Sequence, residues 1–265
     1  MQRLTTEDLT ICYGDTTIVE DLTIQIPNGK ITALVGANGS GKSTILKTMA
    51  RLMKPSRGGV MLDGELIHRK STKDVAKELA ILPQNPTAPD GLTVQELVSY
   101  GRFPHQKGMG SMSKEDHEIV AWALEVTGMR AFYNRAVDQL SGGQRQRAWI
   151  AMSLAQQTDI LFLDEPTTFL DMAHQLEVLQ LLQALNQQQQ RTIIMVVHDL
   201  SHATRFADYM IAIKKGTVIK AGTPQEVVTH DTLRKVFNIE AHIITDPHTG
   251  GPMCIPYNLV RENDQ

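Results

Sequence analysis

Lys30-Ile31-Thr32-Ala33-Leu34-Val35-Gly36-Ala37-Asn38-Gly39-Ser40-Gly41-Lys42-Ser43-Thr44 is the stretch that decides the fold of this 265-residue chain. Residues 30–35 are a near-continuous apolar run, the pattern of a parallel strand buried on both faces. Residues 36–44 then fit G-x-x-x-x-G-K-[ST], and Ser43 to Leu52 has the pattern of a helix. Strand, glycine-rich turn and helix, in that order, are the context in which this motif holds phosphate. The turn brings successive backbone N–H groups, from Gly36 through Asn38, Gly39, Ser40 and Gly41 to Thr44, towards one concavity, a nest for phosphate oxygens. Lys42 is placed to reach the β- and γ-phosphates, and the Ser43 hydroxyl to hold Mg²⁺.

Either side of that stretch the pattern changes. Thr10 to Tyr13, Thr17 to Val19 and Leu22 to Ile26 are short and rich in β-branched residues, and Asp63-Gly64 between Val60-Met61-Leu62 and Glu65-Leu66-Ile67 is a two-residue hairpin signal. Two more apolar runs, 159–163 and 192–197, read as further buried parallel strands, with Met172 to Leu185 as the helical crossover between them. Residues 86–155 carry helical patterns at Val94–Tyr100 and Lys114–Thr127 and no convincing strand. They break at Phe103-Pro104 and at the Gly108-Met109-Gly110 turn. Thr223-Pro224-Gln225-Glu226 is a capping box with proline at the first helical position. The expectation is an α/β protein: a mostly parallel core sheet, an added antiparallel β subdomain and an inserted helical subdomain. A single domain over 1–265 follows, with the core at 1–85 and 156–237, the helical insert at 86–155 and a tail at 238–265.

Composition excludes several classes. Apolar residues make up 42% of the chain, enough for a sizeable core, and the net charge of −3 comes with both signs interspersed. There is no basic block of the kind that binds nucleic acid. Two cysteines, Cys12 and Cys254, make no disulfide framework and suit a reducing compartment. Met1 to Asp8 is too polar for a signal peptide, and no apolar run approaches the roughly 20 residues that span a bilayer. A soluble protein, or one held at a membrane by a partner, is expected. His242, Asp246, His248 and Cys254 in the tail match no metal-ligand spacing, so a structural tail is expected there.

Three further groups carry chemistry. Leu140-Ser141-Gly142-Gly143-Gln144 opens an amphipathic helix: Ser141 and Gln144 have capping-box spacing, and the two glycines leave bare N–H groups where the helix dipole favours an anion. Arg145 and Arg147 lie in its first turn, where a cation needs an anion nearby. Asp164-Glu165 follows Ile160-Leu161-Phe162-Leu163 at the carboxyl end of a strand, where α/β folds place ligands. Asp164 suits Mg²⁺, and Glu165 suits a general base acting on water. His198 ends the next strand, placed to hydrogen-bond a γ-phosphate. Gln84, between Pro83 and Pro86 at the border of the helical insert, could touch Mg²⁺ or water.

Taken together, the 36–44 loop, Gln84, Leu140 to Gln144, Asp164-Glu165, Leu170-Asp171 and His198 resemble the ATP-binding-cassette ATPases in order and spacing, over essentially the whole chain. The resemblance implies a P-loop NTPase fold and ATP hydrolysis with Mg²⁺. It implies that Tyr13 stacks on adenine, that Gln84, Glu165 and His198 serve catalysis, and that Ser43, Gln84 and Asp164 hold the metal. Asp171 resembles the aspartate that couples two active sites. It implies too that Ser141, Gly142, Gly143 and Gln144 serve the nucleotide of a second chain, so that two copies sandwich ATP. Ala37 stands where many members carry proline and contributes backbone only.

Lacking a fused membrane span, the chain resembles importer ATPases that serve a separate permease at the cytoplasmic face of the cell membrane. Gly101-Arg102-Phe103-Pro104-His105-Gln106, Thr167 to Leu179 and the segment from Asp246-Pro247-His248 to Tyr257 resemble the ATPases of ferric-siderophore importers, with a siderophore-binding lipoprotein as an indirect partner. Residues around Gln84 and Arg102–His105 are expected to help the helical insert dock the permease. Vitamin B12 and haem importers share the architecture and stay open as alternatives. A nucleic-acid- or ribosome-associated cassette ATPase usually has paired cassettes or a long coiled-coil insert, and this sequence has neither. A non-hydrolysing scaffold is disfavoured by Glu165 and His198.

Overall fold

The computed structural model describes residues 2–106 and 112–260. The Gly108-Met109-Gly110 turn lies outside them. Two compact units divide the chain: Met1–Arg69 with Thr192–Gln265, and Lys70–Arg191.

In the first unit, Thr192–Val196, Ile31–Val35 and Tyr209–Lys214 lie side by side in parallel, with Thr217–Gly222 antiparallel beyond them. Ile31–Val35 is the inner strand and all five of its residues are buried, as its unbroken apolar run requires. The helix that follows, Lys42–Met49, is eight residues long, too short to persist alone. It forms because Ile45, Leu46 and Met49 are wholly buried, each contributing about 1.5–3 kcal/mol over exposure. A five-stranded antiparallel sheet is built from Leu4–Tyr13, Thr16–Leu22, Gln25–Ile26, Arg57–Leu62 and Glu65–Leu66. At its hairpin both Asp63 (φ 54°) and Gly64 (φ 79°) have positive φ, the geometry of a type I′ turn. The tail is a hairpin of Ile239–Thr245 on Pro252–Leu259, with His242 stacked on Tyr257 at 4.5 Å between ring centroids.

In the second unit, Leu79–Leu82 runs parallel to Ile160–Asp164, with Leu82 opposite Leu163. The helices Val94–Ser99, Lys114–Val126 and Gly142–Ala155 pack on one another. Each starts with a capping box, from Thr93, Ser113 and Ser141. Between 86 and 155 the only strand-type pairing among the described residues is one bridge, Thr93 to Ala136. Pro104 sits inside a 3₁₀ turn, Tyr100–His105, that extends the first of these helices. The Met172–Gln189 helix completes the unit.

Arg102 locks the helices together. Its Nε donates to Asp116 Oδ1 (2.7 Å), and its Nη1 to Ala155 O (2.8 Å) and Gln157 Oε1 (3.0 Å). Asp116 Oδ2 accepts from the Ser113 N–H (2.9 Å) and hydroxyl (2.8 Å). Arg102 is 4% exposed, so it is unavailable to a docking partner, contrary to the expectation for that position. Burial alone would raise the Asp116 pKa, but the Arg102 guanidinium and the two Ser113 bonds outweigh it and hold the carboxyl at about 2. Because this lies below the unfolded value of about 3.9, the pair's contribution is complete above about pH 4 and is lost as pH falls towards 2. Asp116→Ala leaves a buried cation unpaired, and urea denaturation at pH 7 should show a loss of about 3–5 kcal/mol. A loss under about 1 kcal/mol would mean that the pair does not hold the helices.

Candidate functional site

The first unit presents the phosphate loop. The buried strand ends at Val35, and the chain turns at Gly36 so closely that a Cβ there would lie 2.1 Å from Ile213 O. Gly39 and Gly41 have φ of +75° and +98°, a region side-chain-bearing residues avoid. The turn closes through the Ser40 N–H on Ala37 O (3.2 Å), and the helix begins with the Ile45 N–H on Gly41 O (2.9 Å). Lys42 is buried, and its Nζ donates to Gly36 O and Ala37 O at 2.9 Å each, which folds the ammonium over the loop. Ser40 Oγ is buried with no hydrogen-bond partner among the described residues. A buried hydroxyl in a glycine-rich loop is a group that a phosphate oxygen satisfies. Tyr13 is 52% exposed, its hydroxyl on Met53 Sδ at 3.1 Å, so its ring face is open to stacking. His198 is exposed just past the Thr192–Val196 strand. Asp199 beside it caps the Leu200–Phe206 helix by accepting from the Ser201 and His202 N–H groups.

The second unit brings Gln84 and Glu165 together. Parallel register aligns Leu82 with Leu163, so both chains leave the sheet at one end, and Gln84 Nε2 donates to Glu165 Oε2 at 2.5 Å. Thr168 Oγ1 donates to the same oxygen at 2.9 Å. Asp164 is 1% exposed as the last residue of its strand. Glu165 has φ +55°, a left-handed conformation that costs a non-glycine residue about 1–2 kcal/mol. Strain of this kind persists where surrounding bonds fix it, often at functional positions.

At the next helix start, Ser141 Oγ accepts from the Gln144 N–H (3.3 Å) and Gln144 Oε1 from the Ser141 N–H (3.1 Å). Gly142 is exposed, and Gly143 lies under the His174 ring. Of the two arginines expected in the first turn, Arg145 lies there and its Nη2 reaches Asp138 O at 3.4 Å, whereas Arg147 lies one turn on and pairs with Glu177. Asp171 caps the Met172–Gln189 helix and accepts from the His174 N–H at 3.0 Å. That bond and the His174 ring hold its pKa below the usual carboxylate range. A cavity of about 240 Å³ opens here, lined by Gln84, Gly142, Arg145, Trp149, Thr168 and Phe169. Thr168 and His174 escape sequence reading as individual contributors. Only His174 leaves a local trace, three residues after a helix-capping Asp.

The chain belongs to the ABC transporter family, whose model matches residues 19–168. It has the ABC ATPase cassette fold, and ATP is its nucleotide. Over all of this chain and 98% of the relative, it is 62% identical to the iron(3+)-hydroxamate import ATP-binding protein FhuC of Bacillus subtilis (strain 168). It is 48% identical, over 96% of this chain and 94% of the relative, to the ferric enterobactin transport ATP-binding protein FepC of Escherichia coli (strain K12). A bacterial ABC transporter cassette solved as a dimer superposes with a TM-score of 0.73 at 29% identity, covering 83% of this chain and 98% of that one. No helix among the described residues is long and apolar enough to cross a membrane.

Proposed function

We propose that this chain is the ATP-hydrolysing subunit that powers import of a ferric siderophore through a separate membrane permease, acting as a two-fold dimer at the cytoplasmic face of the membrane. The observation that carries the hydrolytic part is the hold on Glu165: two donors converge on one carboxylate oxygen, at 2.5 and 2.9 Å. A carboxylate oriented in this way is held to act as general base on a water that comes within hydrogen-bond reach. The 62% identity to a hydroxamate-import subunit supports the siderophore class above the vitamin B12 and haem alternatives.

Roles follow within each unit. The 36–44 loop cradles the phosphates of ATP, Lys42 neutralises them, Tyr13 stacks on adenine and His198 hydrogen-bonds the γ-phosphate. Glu165 takes the proton of the attacking water as the γ-phosphorus–oxygen bond to ADP breaks. Gln84 and Thr168 keep that carboxylate aimed. Ser141 to Gln144 serve the nucleotide of the second copy, since a two-fold dimer makes both sites from one sequence. Ser43 in the first unit, and Gln84 and Asp164 in the second, each carry an oxygen donor of the kind Mg²⁺ takes, and the ion would neutralise charge on the transferred phosphoryl group.

Tyr100 (54% exposed) and Phe103 (74% exposed) flank the buried Arg102. Two exposed aromatics on one short turn suit an apolar permease contact. Deleting the gene should stop uptake of a ferric hydroxamate under iron limitation, and the wild-type gene should restore it. Phe103→Asp should restore less than about a tenth of that uptake while the purified chain keeps its ATPase rate. Full uptake by Phe103→Asp would move the docking surface elsewhere. Full uptake in the deletion strain would overturn the substrate class.

A further inference from the structure

His174 lies between two groups that the proposed function uses separately. On one side its Nδ1 is 2.8 Å from Asp171 Oδ1, the carboxylate that also accepts from its own N–H. On the other its ring lies close against Gly143. A Cβ built on Gly143 would be 2.6 Å from His174 Cδ2 and 2.9 Å from Cγ. Those separations are below any real Cβ contact, so the ring fills the space that a side chain at 143 would need. Gly143 has no positive φ among the glycines that do. The imidazole in this position leaves no room for a side chain at 143 unless the ring shifts, whereas the helical backbone there suits any residue.

We propose that His174 is a positioning residue: a strut that fixes the start of the Gly142–Ala155 helix relative to Asp171. This rests on the reading that Ser141 to Gln144 meet the nucleotide of a second copy. The helix N-terminus can stabilise phosphate charge only if its N–H groups stand within a few tenths of an ångström of their working place. The capping box fixes the first turn internally, and the Arg147–Glu177 pair ties the second turn to the Met172–Gln189 helix. The imidazole ties the first turn itself, because its Nδ1 is hydrogen-bonded to Asp171 and its Cδ2 side is packed on Gly143. With Nδ1–H donated to the carboxylate, the ring cannot rotate away without losing that bond.

The chemistry separates this role from a merely structural one. Asparagine has two terminal atoms at the positions of Nδ1 and Cδ2, so His174→Asn keeps both branches of the strut, whereas His174→Ala removes both. In the full-length chain, His174→Ala should lower the ATPase kcat about tenfold with KM for ATP within about twofold, a loss confined to the transition state. His174→Asn should recover at least half the rate, and both variants should melt within about 2 °C of wild type. A double-variant cycle tests the contact itself. Gly143→Ala should lower kcat by about 10²-fold because of the clash, and Gly143→Ala with His174→Ala should be faster than Gly143→Ala alone. An unchanged rate in His174→Ala, a rate not rescued by Asn, or strictly multiplicative losses in the cycle would each overturn the strut. Normal hydrolysis by Gly143→Ala would instead overturn the reading of residues 141–144 and the strut with it.

Discussion

Glu165→Gln should bind ATP as the wild type does, hydrolyse it at least about 10²-fold more slowly, the usual size of a general-base effect, and accumulate as an ATP-bound dimer. The structure makes this substitution clean. Glu165 uses one oxygen to accept from Gln84 Nε2 and Thr168 Oγ1. An amide oxygen can accept both bonds, so the loop and its left-handed residue should keep their places. What the amide cannot do is take a proton from water. ATP should then hold two chains together with no hydrolysis to release them. Single-turnover hydrolysis measures the chemical step, and gel filtration with ATP measures the dimer. Hydrolysis at the wild-type rate would show that another group serves as base.

Ser141→Arg should abolish ATP-dependent dimerisation and hydrolysis while leaving nucleotide affinity of the isolated chain within about threefold. Ser141 is exposed, and its hydroxyl caps the Gly142–Ala155 helix. Losing the cap costs about 1 kcal/mol, which a helix with Ala148, Ile150, Ala151 and Leu154 wholly buried withstands. The folded chain then meets its partner with a long cation where a short hydroxyl stood. The phosphate loop lies in the other compact unit and depends on its own glycines and Lys42. Equal loss of binding and hydrolysis would return residues 141–144 to a structural role.

What the sequence makes legible is what local chemistry determines. The apolar run before Gly36 specifies a strand buried on both faces, and the Asp63-Gly64 pair, the capping boxes at Ser141 and Thr223 and the loop glycines all do locally what their residue types predict. Leu79–Leu82 is harder to see because four residues carry no period, and its identity as a strand depends on pairing with Ile160–Asp164. The tail strand Pro252–Leu259 contains two prolines, which read as a loop, and it survives because a two-stranded ribbon has edges that tolerate them.

The site divides in the same way. Gln84 and Glu165 are visible as separate candidates, but their hydrogen bond follows from the register of two strands. The sequence places Arg147 in a first helical turn beside an anion, but the helix starts at Gly142, Arg147 lies in its second turn, and its partner is Glu177, on a helix thirty residues further on. The His174 contact with Gly143 has no counterpart in any local pattern.

In the proposed dimer one chain's phosphate loop works with the other chain's Ser141–Gln144, and mixing two inactive variants, Lys42→Ala and Ser141→Arg, tests that pairing. In a mixed dimer the Ser141→Arg chain supplies an intact phosphate loop and the Lys42→Ala chain an intact helix start, so one site of two is whole. The Ser141→Arg chain does not pair with itself, so the active dimers are all of that class, and the mixture should recover up to about half of the wild-type ATPase rate. If each site were built from a single chain, no pairing could repair it, so a mixture as inactive as its components would rule out a site shared between chains.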